Sequence, residues 1–410
     1  MVRARTRRDD PAMRGLVLGL ASALMAACTA TGGGSAPQPP PFAPSTASSM
    51  PTFGSAPTAL PGLARLQPAS GAYFGLNLDW GHETPNQASA SLGRTPAVWV
   101  VFVTFPLSDG DRANLASSID QIAAVQGMAL ITLEPHGGLA AVTDQATADL
   151  GDLLARTWAE HGVRTFVRFA HEMNGSWYPW SQQPSAYVAA YQRVASAVHQ
   201  RSPSSAMIWA PNEGRGYPFS AGRYLAAPGS SDAAQLDTDG DGTLDPGDDP
   251  YAPYYPGDDA VDWIGVSLYH WGLAYPWGEN EMPPRGAFEA LMRGTDPGTT
   301  AGGAGSPDLY AVYADGHDKP MAIVETAILY DPAAPQGPSE RELKSAWFRQ
   351  VFSTTTQREF PRIAMVNWFE WRKMESEVGK VIDWRLAADP ELARSLLDGA
   401  PAGWLRFAGD

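Results

Sequence analysis

The sequence predicts a closed (β/α)8 TIM barrel, an α/β fold, over residues 61–410. Eight short apolar runs rich in Val, Ile, Phe and Trp alternate with longer amphipathic stretches, in which apolar residues recur three and four positions apart. Such alternation predicts a parallel sheet, and eight repeats in roughly 340 residues predict that the sheet closes into a barrel. A doubly wound open sheet is the alternative. The absence of a glycine-rich phosphate loop after the first strand counts against it.

The predicted elements follow one another along the chain. The strands are Ala72–Asp79, Ala97–Phe105, Met128–Glu134, Arg164–Ala170, Ala206–Ala210, Val261–Tyr269, Pro320–Val324 and Ile363–Trp368. The clearest helices are Ala146–His161, Ser185–Arg201, Ser339–Phe352 and Leu392–Leu397.

The first 28 residues predict an export signal. Five arginines lie among the first 14 residues, and the apolar segment Gly15–Ala27 is too short to span a bilayer. Leu24–Cys28 resembles a bacterial lipobox, and Cys28 is the single cysteine of the chain. We therefore expect a cell-surface lipoprotein held to the membrane only through a lipid on Cys28, with secretion without a lipid as the alternative. Residues 29–60 are rich in Pro, Ser, Gly and Ala, which predicts a disordered tether or leader.

The charge of the chain restricts its partners. A formal net charge of −15 argues against nucleic acid, because phosphates require a basic surface, and it fits a neutral polysaccharide. We expect a monomer, and a single cysteine permits no disulfide within it. Stability must then come from the apolar core and from any bound ion.

Polar and aromatic residues collect where the predicted strands end, which is where barrels of this kind carry their active sites. These residues are Asn77, Asp79, Glu134, His136, His171, Glu172, Asn174, Asn212, Glu213, Tyr269, His270, Glu325, Trp368, Glu370 and Trp371.

Two glutamates stand out within this set. The run Arg168–Trp180 places Glu172, an amide and three aromatic rings directly after the fourth strand, and Glu325 directly follows the seventh. Carboxylic acids on two strands of one barrel are typical of a glycosidase pair, and exposed aromatic rings are typical of sugar sites. For either glutamate alone, a surface residue or a salt-bridge partner is the alternative.

At these residues the sequence resembles glycoside hydrolase family 26, a family of retaining barrel β-glycanases. The resemblance covers roughly residues 72–410, and its motifs are Arg168–Gly175, Tyr254–Asp259 with Val261–Val266, and Ile323–Thr326. It implies that Glu172 is the acid/base and Glu325 the nucleophile of a double displacement that needs no catalytic cofactor. It also places three residues around the reacting sugar: His171, Tyr269 and Trp368.

Further substrate contacts are predicted from position alone. They are His136, Asn174, Trp177, Trp180, Asn212 and Trp271. The alternative for the tryptophans is a place in the core, and for the polar residues a purely structural role.

The substrate prediction rests on one variation within the family motif. Family mannanases usually carry Trp-Phe-Trp-Trp where this chain has Trp177–Trp180, which reads Trp-Tyr-Pro-Trp. This variant resembles members that act on mixed-linkage β-1,3-1,4-glucan or bacterial exopolysaccharide, so these are the predicted substrates and β-1,4-mannan is the alternative. A transglycosylase, or a non-catalytic carbohydrate-binding barrel, is a further alternative.

Residues 237–248 fit a twelve-residue calcium loop, with acids at positions 1, 3, 5, 9 and 12 and glycine at position 6. The candidate ligands are Asp237, Asp239, Asp241, Thr243, Asp245 and Asp248. Pro246 argues against a following helix, so the loop differs from a paired EF-hand. We expect a structural Ca²⁺ in an insertion between the fifth and sixth strands, with a solvated acidic loop as the alternative.

Overall fold

A computed structural model describes residues 62–273, 277–295, 305–334 and 336–410. The predicted export signal and tether lie outside these residues. Eight parallel strands form a ring in which each pairs with the next and the last pairs with the first. The strands are β1 (Ala72–Leu78), β2 (Val98–Thr104), β3 (Met128–Glu134), β4 (Thr165–Phe169), β5 (Ser205–Trp209), β6 (Trp263–Ser267), β7 (Met321–Thr326) and β8 (Ile363–Glu370). The predicted (β/α)8 barrel is confirmed.

Helices surround the barrel between successive strands. They are α1 (Pro85–Leu92), α2 (Asp109–Ala124), α3 (Asp144–His161), α4 (Pro184–Arg201), α5 (Ser231–Leu236), α6 (Ala287–Met292), α7 (Glu340–Val351), α8 (Thr354–Glu359) and α9 (Pro390–Asp398). Thr84, Ser108 and Ser339 begin α1, α2 and α7 with capping boxes. In each, the hydroxyl of the first residue accepts a hydrogen bond from the backbone N–H three residues later, and the side chain of that later residue accepts one from the first residue's N–H. Within the described ranges, no helix has both the length and the apolar character that a membrane span requires.

Two apolar layers hold the barrel together. Alternate strand residues such as Val98, Leu130 and Trp263 fill the barrel interior. The residues between them pack outward against the helices in a larger cluster, which includes Phe74, Trp347 and Trp368. Parallel strands covered on both faces are apolar throughout, which is why the sequence shows runs instead of a simple alternation.

Three short strands were not predicted. β9 (Arg372–Glu375) and β10 (Lys380–Asp383) form an antiparallel hairpin after β8, and β11 (Leu405–Arg406) adds to the edge of β1. The hairpin is polar and lies largely outside the core, so it lacks the apolar run on which the strand predictions depended.

Candidate active site

Glu172 lies on a tight turn directly after β4. The turn places both Ala170 (φ 47°) and Glu172 (φ 53°) in the left-handed region, which is costly for residues with a side chain. The Glu172 N–H donates to the carbonyl of Ala210 at 2.9 Å, which fixes the turn to the end of β5. Backbone strain of this kind persists only where the surrounding structure enforces it, and it clusters at functional sites.

Glu325 lies inside β7, one position before its last residue, at a break in the regular strand pairing. Ala322 and Val324 face the barrel interior, so regular alternation would turn Glu325 outward toward the helices. The bulge reverses this, and Glu325 points inward while Thr326 accepts a hydrogen bond from Trp347 in α7. Bulges often re-aim a side chain in this way.

Two donors hold the Glu325 carboxylate. Arg168 Nη2 donates to its Oε1 and the Tyr269 hydroxyl donates to its Oε2, each at 2.5 Å. Arg168 is itself fully buried inside the barrel, where its Nε donates to Thr132 at 3.0 Å and its guanidinium lies 5.2 Å from the Phe102 ring. Each carboxylate oxygen is therefore fixed by its own partner.

Glu172 has a different environment. Burial and the charge of Glu325 raise the pKa of Glu172 to about 7, while Ser267, Arg168 and Trp177 oppose that rise. Trp177 Nε1 donates to Glu172 Oε2 at 2.9 Å. Ser267, which lowers the pKa of Glu172, is paired with Glu325 across the sheet, so it lies beside the second acid as well. Both carboxyl groups therefore belong to one site at the carboxyl end of the barrel.

Several predicted substrate residues have surface exposed at this site. Trp177 and His136 are exposed, whereas Asn212, Tyr269 and Trp271 are half-buried. His136 Nε2 lies 3.3 Å from Glu134, and this contact raises the pKa of His136. These residues remain predictions as sugar contacts.

His171 is almost completely buried. Its Nε2 lies 3.2 Å from the Tyr178 hydroxyl, and its Nδ1 has no hydrogen-bond partner among the described residues. Burial, together with the charge of Arg168, lowers the pKa of His171 well below its usual range. His171, directly before Glu172, therefore carries a neutral imidazole.

Three further predicted contacts, Asn174, Trp180 and Trp368, have no exposed surface in the structure and remain predictions. Trp180 Nε1 donates to the His171 carbonyl at 2.8 Å, and Trp368 Nε1 donates to the Trp384 carbonyl at 2.9 Å. Asn174 exchanges two hydrogen bonds with the Asn212 backbone. All three side chains are therefore held by hydrogen bonds within the protein.

Sequence reasoning missed two residues that act on the acids, Arg168 and Ser267. Arg168 did leave a signal, since a charge two positions after the inward-facing Phe166 falls on the interior side of β4. An arginine buried there requires an acidic partner. Nothing in the sequence distinguishes Ser267 from any other serine in a strand.

The predicted calcium loop is an insertion between β5 and β6, as expected. Asp237, Asp239 and Asp248 bring carboxylate oxygens within 4.8 Å of one another, which makes them a possible metal-binding group. Asp241 and Asp245 stand outside that group and accept hydrogen bonds from the backbone N–H groups of Thr243 and Gly247. Half of the six predicted ligands are therefore assembled.

No family model matches the chain. Endoglucanase H of Acetivibrio thermocellus is 21% identical over 257 residues, which span 61% of this chain and about a fifth (21%) of that curated relative. A Cellulomonas fimi endo-β-1,4-mannanase double mutant superposes with a TM-score of 0.50 at 18% identity, covering 83% of this chain and 73% of the other.

The structure of GH26C from a Muricauda species gives a TM-score of 0.53 at 12% identity, covering 83% of this chain and 88% of the other. At these identities a structural likeness establishes the fold. The predicted resemblance to glycoside hydrolase family 26 is thus confirmed, and the chain has the (β/α)8 barrel of that family's solved structures.

Proposed function

We propose that the protein is a retaining glycoside hydrolase that cleaves β-linked polysaccharide internally, with Glu325 as the nucleophile and Glu172 as the acid/base. The single observation that carries the proposal is the contrast between these buried acids. Glu325 is ion-paired with Arg168, whereas the pKa of Glu172 is raised to about 7. Two acids whose environments separate their protonation states are the pattern of a nucleophile and a general acid.

The first step forms a glycosyl-enzyme ester. A Glu325 oxygen attacks the anomeric carbon while the Glu172 proton passes to the glycosidic oxygen, and the bond between that carbon and oxygen breaks. Arg168 and Tyr269 keep the attacking group oriented. The leaving chain departs with the proton that Glu172 supplied.

The second step reverses the role of Glu172. Esterification removes the charge of Glu325, so one of the two causes that raise the pKa of Glu172 disappears. Glu172 then takes a proton from water as the water oxygen attacks the anomeric carbon, and the ester bond to Glu325 breaks. Both side chains return to their starting states.

We favour β-1,4-mannan as the substrate. The Cellulomonas fimi neighbour is described as an endo-β-1,4-mannanase, which supports the alternative over the predicted mixed-linkage glucan or exopolysaccharide. The Trp177–Trp180 motif, on which the prediction of mixed-linkage glucan depends, supports that prediction less, because Trp180 is buried and Trp177 is the exposed tryptophan of the motif. β-Glucan is the second candidate, since the relative from Acetivibrio thermocellus is described as an endoglucanase.

Product analysis tests the proposal. The purified protein is incubated with mannan, mixed-linkage glucan and exopolysaccharide, and NMR follows the anomer that is released first. We expect β-anomeric oligosaccharides, and a loss of several orders of magnitude in Glu172→Gln and Glu325→Gln. Glu391→Gln, on an exposed glutamate, is the control. Release of the α-anomer first, or only a few-fold loss in either variant, would contradict the mechanism.

We also propose that the acidic loop holds a structural Ca²⁺, supported by the grouping of Asp237, Asp239 and Asp248. Chelation is expected to lower the melting temperature of the wild type, with smaller effect on Asp237→Asn. Elemental analysis that finds no calcium, together with unchanged melting, would contradict this. The ion would stiffen the insertion and take no part in the chemistry.

Export and lipidation are a separate proposal, which rests on the lipobox-like Leu24–Cys28. Expression with radiolabelled palmitate in a bacterial host should label the wild-type protein but not Cys28→Ala. We further expect a monomer in light scattering.

A further inference from the structure

Exposed apolar side chains gather on one side of the barrel mouth. Among the large apolar residues that the structure describes as exposed, five lie in the β6–α6 loop or in the β9–β10 hairpin: Leu273, Trp277, Met282, Met374 and Val381. Exposed apolar surface that is contiguous and bordered by polar groups marks a binding site more often than a random surface does.

A series of aromatic rings connects this surface to the nucleophile. Tyr269, which donates to Glu325, has its ring 6.2 Å from that of Trp271, and Trp277 follows with its ring 6.0 Å from Trp271. Trp271 packs edge-on against Trp384 at 4.9 Å, which fixes its orientation. The rings become more exposed along the series, from half-buried Tyr269 and Trp271 to Trp277 at 38%.

The segment that follows Trp277 is firmly attached to the hairpin. Lys380 of β10 donates to the Gly278 carbonyl at 2.7 Å and lies 3.6 Å from Glu279. Asn280 exchanges two hydrogen bonds with the backbone of Asp331, at 2.7 and 3.0 Å. The residues directly after Trp277 are therefore anchored, and a site that is ordered before binding loses less entropy when its ligand arrives.

We propose that Trp277, together with Trp271, forms a distal sugar-binding subsite that holds a part of the substrate chain beyond the reacting sugar. The inference deepens the proposed function and rests on it. Flat aromatic faces match the C–H faces of pyranose rings, and the carboxylates of Glu279 and Glu281 beside them can accept hydrogen bonds from sugar hydroxyls. The ring series that begins at Tyr269 favours the substrate chain over a protein partner as the occupant of this surface.

Chain-length dependence tests the subsite. The kcat/KM of wild type and Trp277→Ala is measured on β-1,4-manno-oligosaccharides and β-1,4-gluco-oligosaccharides of increasing length. We expect the ratio of kcat/KM for the longest to the shortest cleaved oligosaccharide to fall about tenfold in Trp277→Ala, mainly through KM. Trp277→Phe keeps an aromatic face and should recover part of that ratio. Val312→Ala removes another exposed apolar side chain, from the segment before β7, and serves as the control.

The outcomes separate this inference from the proposed function. An active enzyme whose ratio is unchanged in Trp277→Ala, or whose kcat/KM falls equally on every length, would overturn the subsite. A wild type that cleaves no chain of either series, nor mannan, mixed-linkage glucan or exopolysaccharide, would overturn the proposed function instead.

Discussion

The pH dependence of catalysis should report the raised pKa of Glu172. A carboxyl group with the ordinary pKa of 4.5 is about 3% protonated at pH 6, whereas one with a pKa of about 7 is about nine-tenths protonated. The difference corresponds to roughly 3 kcal/mol of penalty on the ionised form, caused first by burial and then by Glu325. Because the general acid must carry its proton, kcat/KM should fall tenfold per pH unit as the pH rises above about 7.

Two variants test whether the fall in kcat/KM above about pH 7, the basic limb of the pH profile, belongs to Glu172. Trp177→Phe removes the N–H group that stabilises the ionised carboxylate, so the limb should move to higher pH while an aromatic ring remains. Glu172→Gln should abolish the limb and cost about 10²- to 10⁴-fold on polysaccharide. It should cost less on an aryl glycoside whose leaving group needs no proton.

Initial rates across the pH range at constant ionic strength provide the measurement. A wild-type kcat/KM that already falls as the pH rises through about 4.5 would refute the raised pKa of Glu172. A limb that survives in Glu172→Gln, measured on the activated aryl glycoside, would assign the titration to another group and refute the role of Glu172 as the acid.

Three other consequences follow from the contacts and the burial of residues in the site and its walls. Tyr269→Phe removes the hydrogen bond to Glu325 but keeps the ring, so kcat should fall about 10- to 100-fold with little change in melting temperature. Glu370 accepts hydrogen bonds from two backbone N–H groups after β10. Glu370→Ala should therefore lower the free energy of unfolding, measured in urea, by about 3 kcal/mol. Glu377→Ala, at an exposed position of the hairpin, is the control and should not lower it. Burial raises the pKa of Glu370 to about 8 and that of Glu172 to about 7. Above about pH 4.5 the native state therefore holds protons that the unfolded chain has lost, so the free energy of unfolding should fall as the pH rises from about 4.5 to 8. The fall should be less steep in Glu370→Gln, which has no proton to lose at this position.

The sequence was sufficient for the barrel because the signal is repeated. Each strand is a short apolar run, and the predicted bounds of β3 match the observed ones. An error in one repeat leaves the remaining repeats to identify the fold. The β9–β10 hairpin has no such support, because its four-residue strands carry charged side chains and occur once.

Side-chain direction was harder to predict than strand position. Trp368 lies two residues before the end of β8 and Trp371 directly follows β8, and the sequence offers no reason to prefer one as the exposed ring. The structure turns Trp368 outward against Phe348 of α7, with ring centroids 6.0 Å apart, and leaves Trp371 half-buried beside Asn77. A bulge can reverse such a choice, as it does for Glu325, and bulges have no simple sequence signature.

The charges at the barrel mouth explain why one acid keeps its proton. Arg168 is fully buried and its charge is matched by Glu325, so this pair is neutral as a whole. Ionising Glu172 as well would leave a net negative charge in a buried space, where charge is costly unless it is paired. Proton donation therefore depends on the number of cations in the barrel and not on Glu172 alone. It also explains the reversal in the second step of the proposed reaction, because an esterified Glu325 leaves Arg168 as the unmatched cation, and that cation favours the ionised form of Glu172.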